Sequence, residues 1–325
     1  MRSGFLLAAA GACALAFLAA PSASPAAAPP NRDDPCSRAG RDSCGTLGVG
    51  FYADSRYGTR WFGDFRGAVP GEAHTFCIDL RFWYASRSYR YRPAASHVLR
   101  NRDGEAVPVA KQQKLAYAIA EYGRTTTPNR QAAVMLYVHS LMGDARPGEV
   151  APASVNRTVA RLYREIARNA TRYHGPYRVE ARLSERLTVG EPATATLRVL
   201  SARGYALPHA RLTLGAHGAD GLPPQVETDD AGRAEVALTP SEVELSLRVT
   251  AGRVPSSRPR IFVPTTAASA ANGQRLAGPA QAVVDFLRVL SRRPVGLAGL
   301  IGIVFLVVGF FFVVWIVVCL WIVLG

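Results

Sequence analysis

The pattern of apolar and polar positions changes character several times along the chain. From Gly4 to Ala20 the residues are almost all apolar, behind the short basic opening Met1-Arg2-Ser3 and ahead of a stretch rich in Pro, Ser and Ala. From Gly48 to Arg92 aromatic residues such as Phe51, Tyr52, Trp61, Phe62, Phe76, Trp83 and Tyr84 stand among glycine and proline breaks, which reads as short strands. The period then becomes helical. Leu115, Ile119 and Tyr122 share one face of a helix predicted over 111–122, with Gly123 as its left-handed cap. Thr127 and Pro128 supply the N-cap and first residue of a second helix that runs through Met142 to Gly143. A third, over 155–173, turns Val155, Val159, Leu162, Ile166 and Tyr173 toward a core and Arg157, Arg161, Arg164 and Arg168 toward water.

Beyond Pro176 the period shortens to alternating strands, predicted at 178–183, 193–201, 211–216, 233–238, 244–250 and 260–263. The stretch Thr228-Asp229-Asp230-Ala231-Gly232-Arg233-Ala234 reads as a hairpin turn leading into a strand. An Ala/Ser/Gly-rich linker is expected over 265–278 and a short amphipathic helix from Pro279 to Leu290. Leu297 to Leu324 then carries no charged residue, and its length exceeds the ~20 apolar residues needed to span a bilayer.

The two apolar ends set the expected location. The opening has the composition of a secretory signal, with small residues for cleavage between Ala20 and Ala28. Arg288, Arg292 and Arg293 precede the terminal span and nothing basic follows it, so charge alone would put the preceding segment in the cytoplasm. The signal acts first, and the expectation is a single-pass cell-membrane protein with its body outside. The net charge of +14 comes almost wholly from arginine, scattered along the chain. That distribution argues against a nucleic-acid partner and favours anionic wall polymers or lipid surfaces.

Export makes the cysteine arithmetic informative. Of five cysteines, Cys13 falls in the signal and Cys319 in the terminal span, leaving Cys36, Cys44 and Cys77. Cys36 and Cys44 flank a short polar loop in a compartment where disulfides persist, and they are expected to pair. Cys77 is then a lone thiol; an inert buried thiol, or a bond from Cys77 to Cys36 or Cys44, are the alternatives. None of the six histidines has metal-ligand spacing relative to the cysteines, so no metal or other cofactor is expected. A Cys–His hydrolase would need Cys77 with His74, His97 or His139, yet the thiol sits in a strand-like run without the helix N-terminus or cation that activates such nucleophiles. The protein is not expected to be an enzyme.

A resemblance connects Cys77 to a second residue. An aromatic residue before a cysteine in a strand (Thr75-Phe76-Cys77-Ile78-Asp79), followed later by Gln131-Ala132-Ala133-Val134 opening an apolar helix, resembles the thioester domains of Gram-positive, especially actinobacterial, surface proteins. The likeness covers roughly residues 48–148, and Arg130 stands where the family often has threonine. It implies that Cys77 attacks the Gln131 carboxamide to form an internal thioester, which an amine or hydroxyl on another surface then captures covalently. The turn at 228–234 is likewise similar to that of bacterial immunoglobulin-like or transthyretin-like surface modules.

From the residues alone, Gln131 shares a helix face with Val134, Val138 and Leu141, and a carboxamide turned to a core costs ~1–3 kcal/mol unless it is partnered. The bland alternative is a first-turn glutamine bonded to backbone or solvent. The expected architecture is α+β: signal peptide 1–28, disulfide-bearing linker 29–47, mixed β/α thioester-like domain 48–150, helical connector 151–176, immunoglobulin-like or transthyretin-like β-sandwich 177–264, linker and juxtamembrane segment 265–293, and transmembrane helix 294–325. The functional expectation is a surface attachment protein; an envelope binding or structural protein of the same fold without a thioester is the alternative.

Overall fold

The computed structural model describes residues 34, 36–38, 41–42, 44–95, 98–144, 156–183 and 187–291. The expected signal peptide and transmembrane span lie outside the described residues, and no helix among the described residues is long and apolar enough to cross a membrane.

Two apolar cores form, matching the change of periodicity near Pro176. The first begins with β1 (Ser37–Arg38) and β2 (Arg41–Asp42), a short pair closed by a Cys36–Cys44 disulfide with a Cα separation of 5.0 Å. The aromatic hairpin β3 (Leu47–Ser55) and β4 (Gly58–Phe65) follows, placing Phe51 opposite Phe62 and Tyr52 opposite Trp61. Gly50 faces Gly63 across this pair, and a Cβ on either would lie 2.3 Å from a backbone carbonyl of the other strand. Then come β5 (Phe76–Cys77), β6 (Arg92–Pro93), α1 (Val109–Tyr122), α2 (Pro128–Met142) and α3 (Arg157–Tyr173). Val159, Leu162 and Ile166 of α3 are buried; Val155 lies outside the described residues. Every residue of α2 from Gln131 to His139 is buried, because α1, α3, β3, β4 and β5 all pack against it. A helix apolar on all sides is stable only in such a central place.

The second core is a sandwich of two four-stranded antiparallel sheets, β10-β12-β8-β7 and β11-β9-β13-β16. Its strands are β7 (Arg178–Leu183), β8 (Ala193–Leu200), β9 (Arg211–His217), β10 (Ala219–Asp220), β11 (Gln225–Glu227), β12 (Arg233–Pro240) and β13 (Glu244–Pro255), joined by β16, described below. Inward residues such as Leu197, Val199, Leu212, Val236, Leu247 and Val249 fill it. The turn at 229–232 closes through hydrogen bonds from Gly232 N to Asp229 O and from Asp229 N to Arg233 O. It does not make a hairpin. The strand before it pairs with β9 and the strand after it with β8, so the turn carries the chain from one sheet to the other.

The domain boundaries read from sequence change at the C-terminal side. β14 (Arg260–Val263) leaves the sandwich, the expected linker over 265–278 contains α4 (Ala267–Asn272) and β15 (Leu276–Gly278), and the first core takes them in. They form a sheet in the order β5-β15-β14-β6, with Leu276 opposite Cys77 and Ala277 opposite Phe76. β14 is the strand expected at 260–263, but the three residues of β15 hold too few positions to show a period, and the small residues that suggest a linker fit closely here: a Cβ on Gly278 would lie 3.0 Å from the Phe262 ring. The expected helix at 279–290 is instead β16 (Gln281–Ser291), paired along β13. Val283, Val284, Phe286 and Val289 favour that strand, with Ala282, Val284 and Phe286 turned to the second core. Strands β7 to β13 are thus inserted between α3 and β14, and β16 completes the sandwich after the chain has passed through the first core.

Candidate functional site

Cys77 and Gln131 reach the same core by separate routes. β5 is anchored on one side by β15 and buried throughout, leaving both Phe76 and Cys77 with no exposed surface. Asp79 N donates to Cys77 Sγ at 3.2 Å. Burial pushes the Cys77 thiol well above its ordinary value, and the negative charges of Asp79 and Asp144 push the same way. The thiol is therefore held protonated. It is not bonded to another cysteine.

Gln131 occupies the first turn of α2 and is also fully buried. Its Nε2 donates to Gly123 O at 2.9 Å and to Thr125 O at 2.6 Å, while its Oε1 is buried with no hydrogen-bond partner. The backbone link to the cysteine strand is Gly123. The left-handed cap expected there is absent: φ is −75°. Glycine is required for closeness instead, because a Cβ would lie 2.5 Å from Ile119 O and 2.8 Å from the ring of Phe76. Thus the residue preceding Cys77 packs on the same backbone unit whose carbonyl receives the Gln131 amide. At the start of α2, Thr127 does not cap with its side chain; its hydroxyl accepts from Thr125 Oγ1 at 3.1 Å.

The strand end beyond Cys77 is fixed by groups that short-range sequence patterns do not reveal. The buried Asp79 carboxylate accepts from Arg275 Nη2 at 2.7 Å, Arg275 Nε at 2.8 Å, Arg275 N at 3.0 Å and Arg102 Nε at 2.9 Å. Burial alone would raise its titration, but the hydrogen bonds and charges of Arg275, with Arg102, outweigh it and hold the carboxyl below the usual range. Arg60, almost completely buried, donates to the carbonyls of Leu80 and Phe82 and stacks on Tyr84 with 4.7 Å to the ring centre. Tyr91 donates its hydroxyl to Gln274 O at 2.7 Å. Arg275 and Gln274 lie almost two hundred positions beyond Cys77 in a segment that reads as linker, so only the pairing of β15 with β5 reveals them.

His74 Nδ1 is taken by Asp64 Oδ2 at 2.6 Å, and His97 lies outside the described residues. His139 is buried on α2 with neither ring nitrogen hydrogen-bonded, its Nδ1 3.6 Å from Asp144 Oδ2. Among the described residues no imidazole hydrogen-bonds the Cys77 sulfur, and no cluster of His, Cys, Asp and Glu could hold a metal ion. The helix that packs on β5 carries the buried Gln131 carboxamide, held by its nitrogen and with its oxygen unbonded.

Comparison with known proteins adds little beyond this chain. No protein-family model and no curated protein matches it. Among solved structures it is similar to the thioester domain of the Enterococcus faecium TIE86 protein, with a TM-score of 0.34 and 11% identity over 77% of this chain and 93% of that one. A likeness of that size leaves the chemistry to be argued from the residues described above.

Proposed function

We propose that this protein is a membrane-anchored attachment protein of a bacterial surface, in which Cys77 and Gln131 form an internal thioester that captures a nucleophile on a target. Cys77 Sγ attacks the Gln131 carbonyl carbon; the S–C bond forms, the C–N bond breaks, and the thiol proton leaves with the nitrogen as ammonia. An amine or hydroxyl then takes the acyl group and returns a proton to the sulfur. The observation that carries this reading is the buried carboxamide of Gln131, whose oxygen has no partner, in the same core as a buried and otherwise unused thiol. An unpaired buried polar atom costs ~1–3 kcal/mol, which a packing role alone leaves unexplained. Burial also serves the chemistry, since a thioester must be kept from water until its target arrives. The β-sandwich would hold this domain away from the membrane.

Intact mass of the purified protein beside Cys77→Ala tests the reading. The expected result is a wild-type mass short by one ammonia, with methylamine added at Gln131 on treatment and no such change in Cys77→Ala. Asn272-Gly273 is a second place where ammonia can be lost, and the variant controls for it. Full mass in both proteins would overturn the covalent function and leave an envelope protein that binds without a thioester.

A further inference from the structure

The nitrogen of the Gln131 carboxamide is also a structural tie. α1 and α2 are joined by residues 123–127, of which Arg124, Thr126 and Thr127 are exposed. Thr125 Oγ1 donates to Thr127 Oγ1 and accepts from Thr127 N within this loop, and at its far end Thr127 O accepts from Arg130 N and Gln131 N as α2 begins. Between the backbone bonds at its two ends, the side-chain tie from the core to this loop is Gln131 Nε2, which donates one hydrogen to Gly123 O and the other to Thr125 O. Both hydrogens sit on the atom that leaves when a thioester forms. This argument rests on the thioester reading of Cys77 and Gln131.

We infer that the carbonyls of Gly123 and Thr125 form a subsite for the nitrogen on the Gln131 acyl group, closing the 124–127 loop over an amide and releasing it over a thioester. The balance of each step follows from the atoms. In the resting carboxamide both carbonyls are occupied and the acyl carbon is covered. Attack by Cys77 Sγ expels the nitrogen as ammonia, with the thiol proton, and the two carbonyls then lack a donor. Buried acceptors without donors are unfavourable, so the loop exchanges its inward bonds for water and opens a path to the acyl carbon. Capture of a primary amine forms a C–N bond, breaks the C–S bond and returns one amine proton to sulfur. The new amide keeps one N–H, which restores one tie. An ester formed with a hydroxyl has no N–H and restores none. The same two carbonyls therefore admit the nucleophile and afterwards distinguish a captured amine from a captured alcohol.

Hydrogen exchange of the 123–130 segment, measured by mass spectrometry on the purified full-length chain together with intact mass, tests this. Cys77→Ala keeps the carboxamide and should protect the loop. Wild type that has lost ammonia should exchange faster there, by on the order of ten-fold for the loss of two hydrogen bonds of ordinary net strength. Methylamine should bring it part of the way back. Gln131→Met, which removes both donors without making a thioester, should exchange as fast as the thioester form while the rest of the first core stays protected. Equal loop exchange in thioester-bearing wild type and Cys77→Ala overturns the inference, and so does protection in Gln131→Met equal to that in Cys77→Ala. If wild type retains its full mass, the thioester reading fails separately, and the two variants still decide whether the nitrogen holds the loop. Should Gln131→Met not fold, the comparison of wild type before and after methylamine decides it.

Discussion

At the residue scale, the environment of Cys77 sets opposite limits on stability at the two ends of the pH range. Asp79 titrates below the usual carboxylate range in the folded protein, so its contribution is present above the ordinary carboxyl value and is lost as pH falls through the depressed one. Cys77 and the buried Tyr91 and Tyr117 titrate upward, and their contribution is complete below the ordinary thiol and phenol values and lost as pH rises through the folded ones. Thermal melting is therefore expected to decline on both flanks. On the alkaline side, protein with a free Cys77 should decline earlier than Cys77→Ala, which has no thiol to ionise; identical alkaline profiles for free-thiol protein and variant would contradict the placement of the thiol. Replacing Asp79 by Asn leaves Arg275 and Arg102 without their shared carboxylate and is expected to cost about 3–5 kcal/mol in urea unfolding, the range for breaking a buried ion pair. Gly123→Ala is expected to lose about 1–3 kcal/mol by the same measurement, because its Cβ would be forced onto Ile119 O and Phe76. At a φ of −75° without that crowding, alanine would instead be tolerated or slightly stabilising.

At the scale of elements, β5 depends on a partner that arrives late in the chain. Residues 44–176 contain Cys77 and Gln131 but lack β14 and β15, and they would leave Phe76 and Cys77 without a neighbouring strand on that side. A fragment of 44–176 is expected to lack the cooperative melting of the full chain, whereas a chain with β7 to β13 replaced by a short linker from α3 to β14, and ending after β15, should keep it; circular dichroism on both distinguishes them. The sequence discloses α2 almost to the residue, because Pro128 can only open a helix and Gly143, with φ 84°, can only close it. It discloses β7, β8, β9, β12 and the first half of β13, since one face of each meets a core, but not the short β10 and β11, and β16 reads as a helix. It discloses β14 as a strand but not its place in the first core, and it does not disclose β15, because the burial of Phe262, Leu276 and Ala277 comes from their fit against distant residues rather than from any repeat. For the site, the positions of Cys77 and Gln131 are readable from their motifs, while the carbonyls of Gly123 and Thr125 and the arginines on Asp79 are not, because backbone acceptors have no residue signature and Arg275 lies far along the chain.

At the scale of the whole molecule, the chain enters the sandwich after α3, returns to the first core through β14 and β15, and enters the sandwich again as β16. The strand that supports Cys77 is thus joined to β16 by only two residues, Pro279 and Ala280. β16 runs antiparallel to β13, from Gln281 opposite Pro255 to Ser291 opposite Glu244, a length of roughly 30–35 Å at ~3.3 Å per residue. A pull applied beyond Ser291 and resisted at Cys77 is directed along this strand. The cross-strand hydrogen bonds of β13 and β16 are then loaded side by side in shear instead of parting one at a time, and the tension reaches β5 through β15. A chain paired in this way yields to such a pull only when a whole row of hydrogen bonds gives at once.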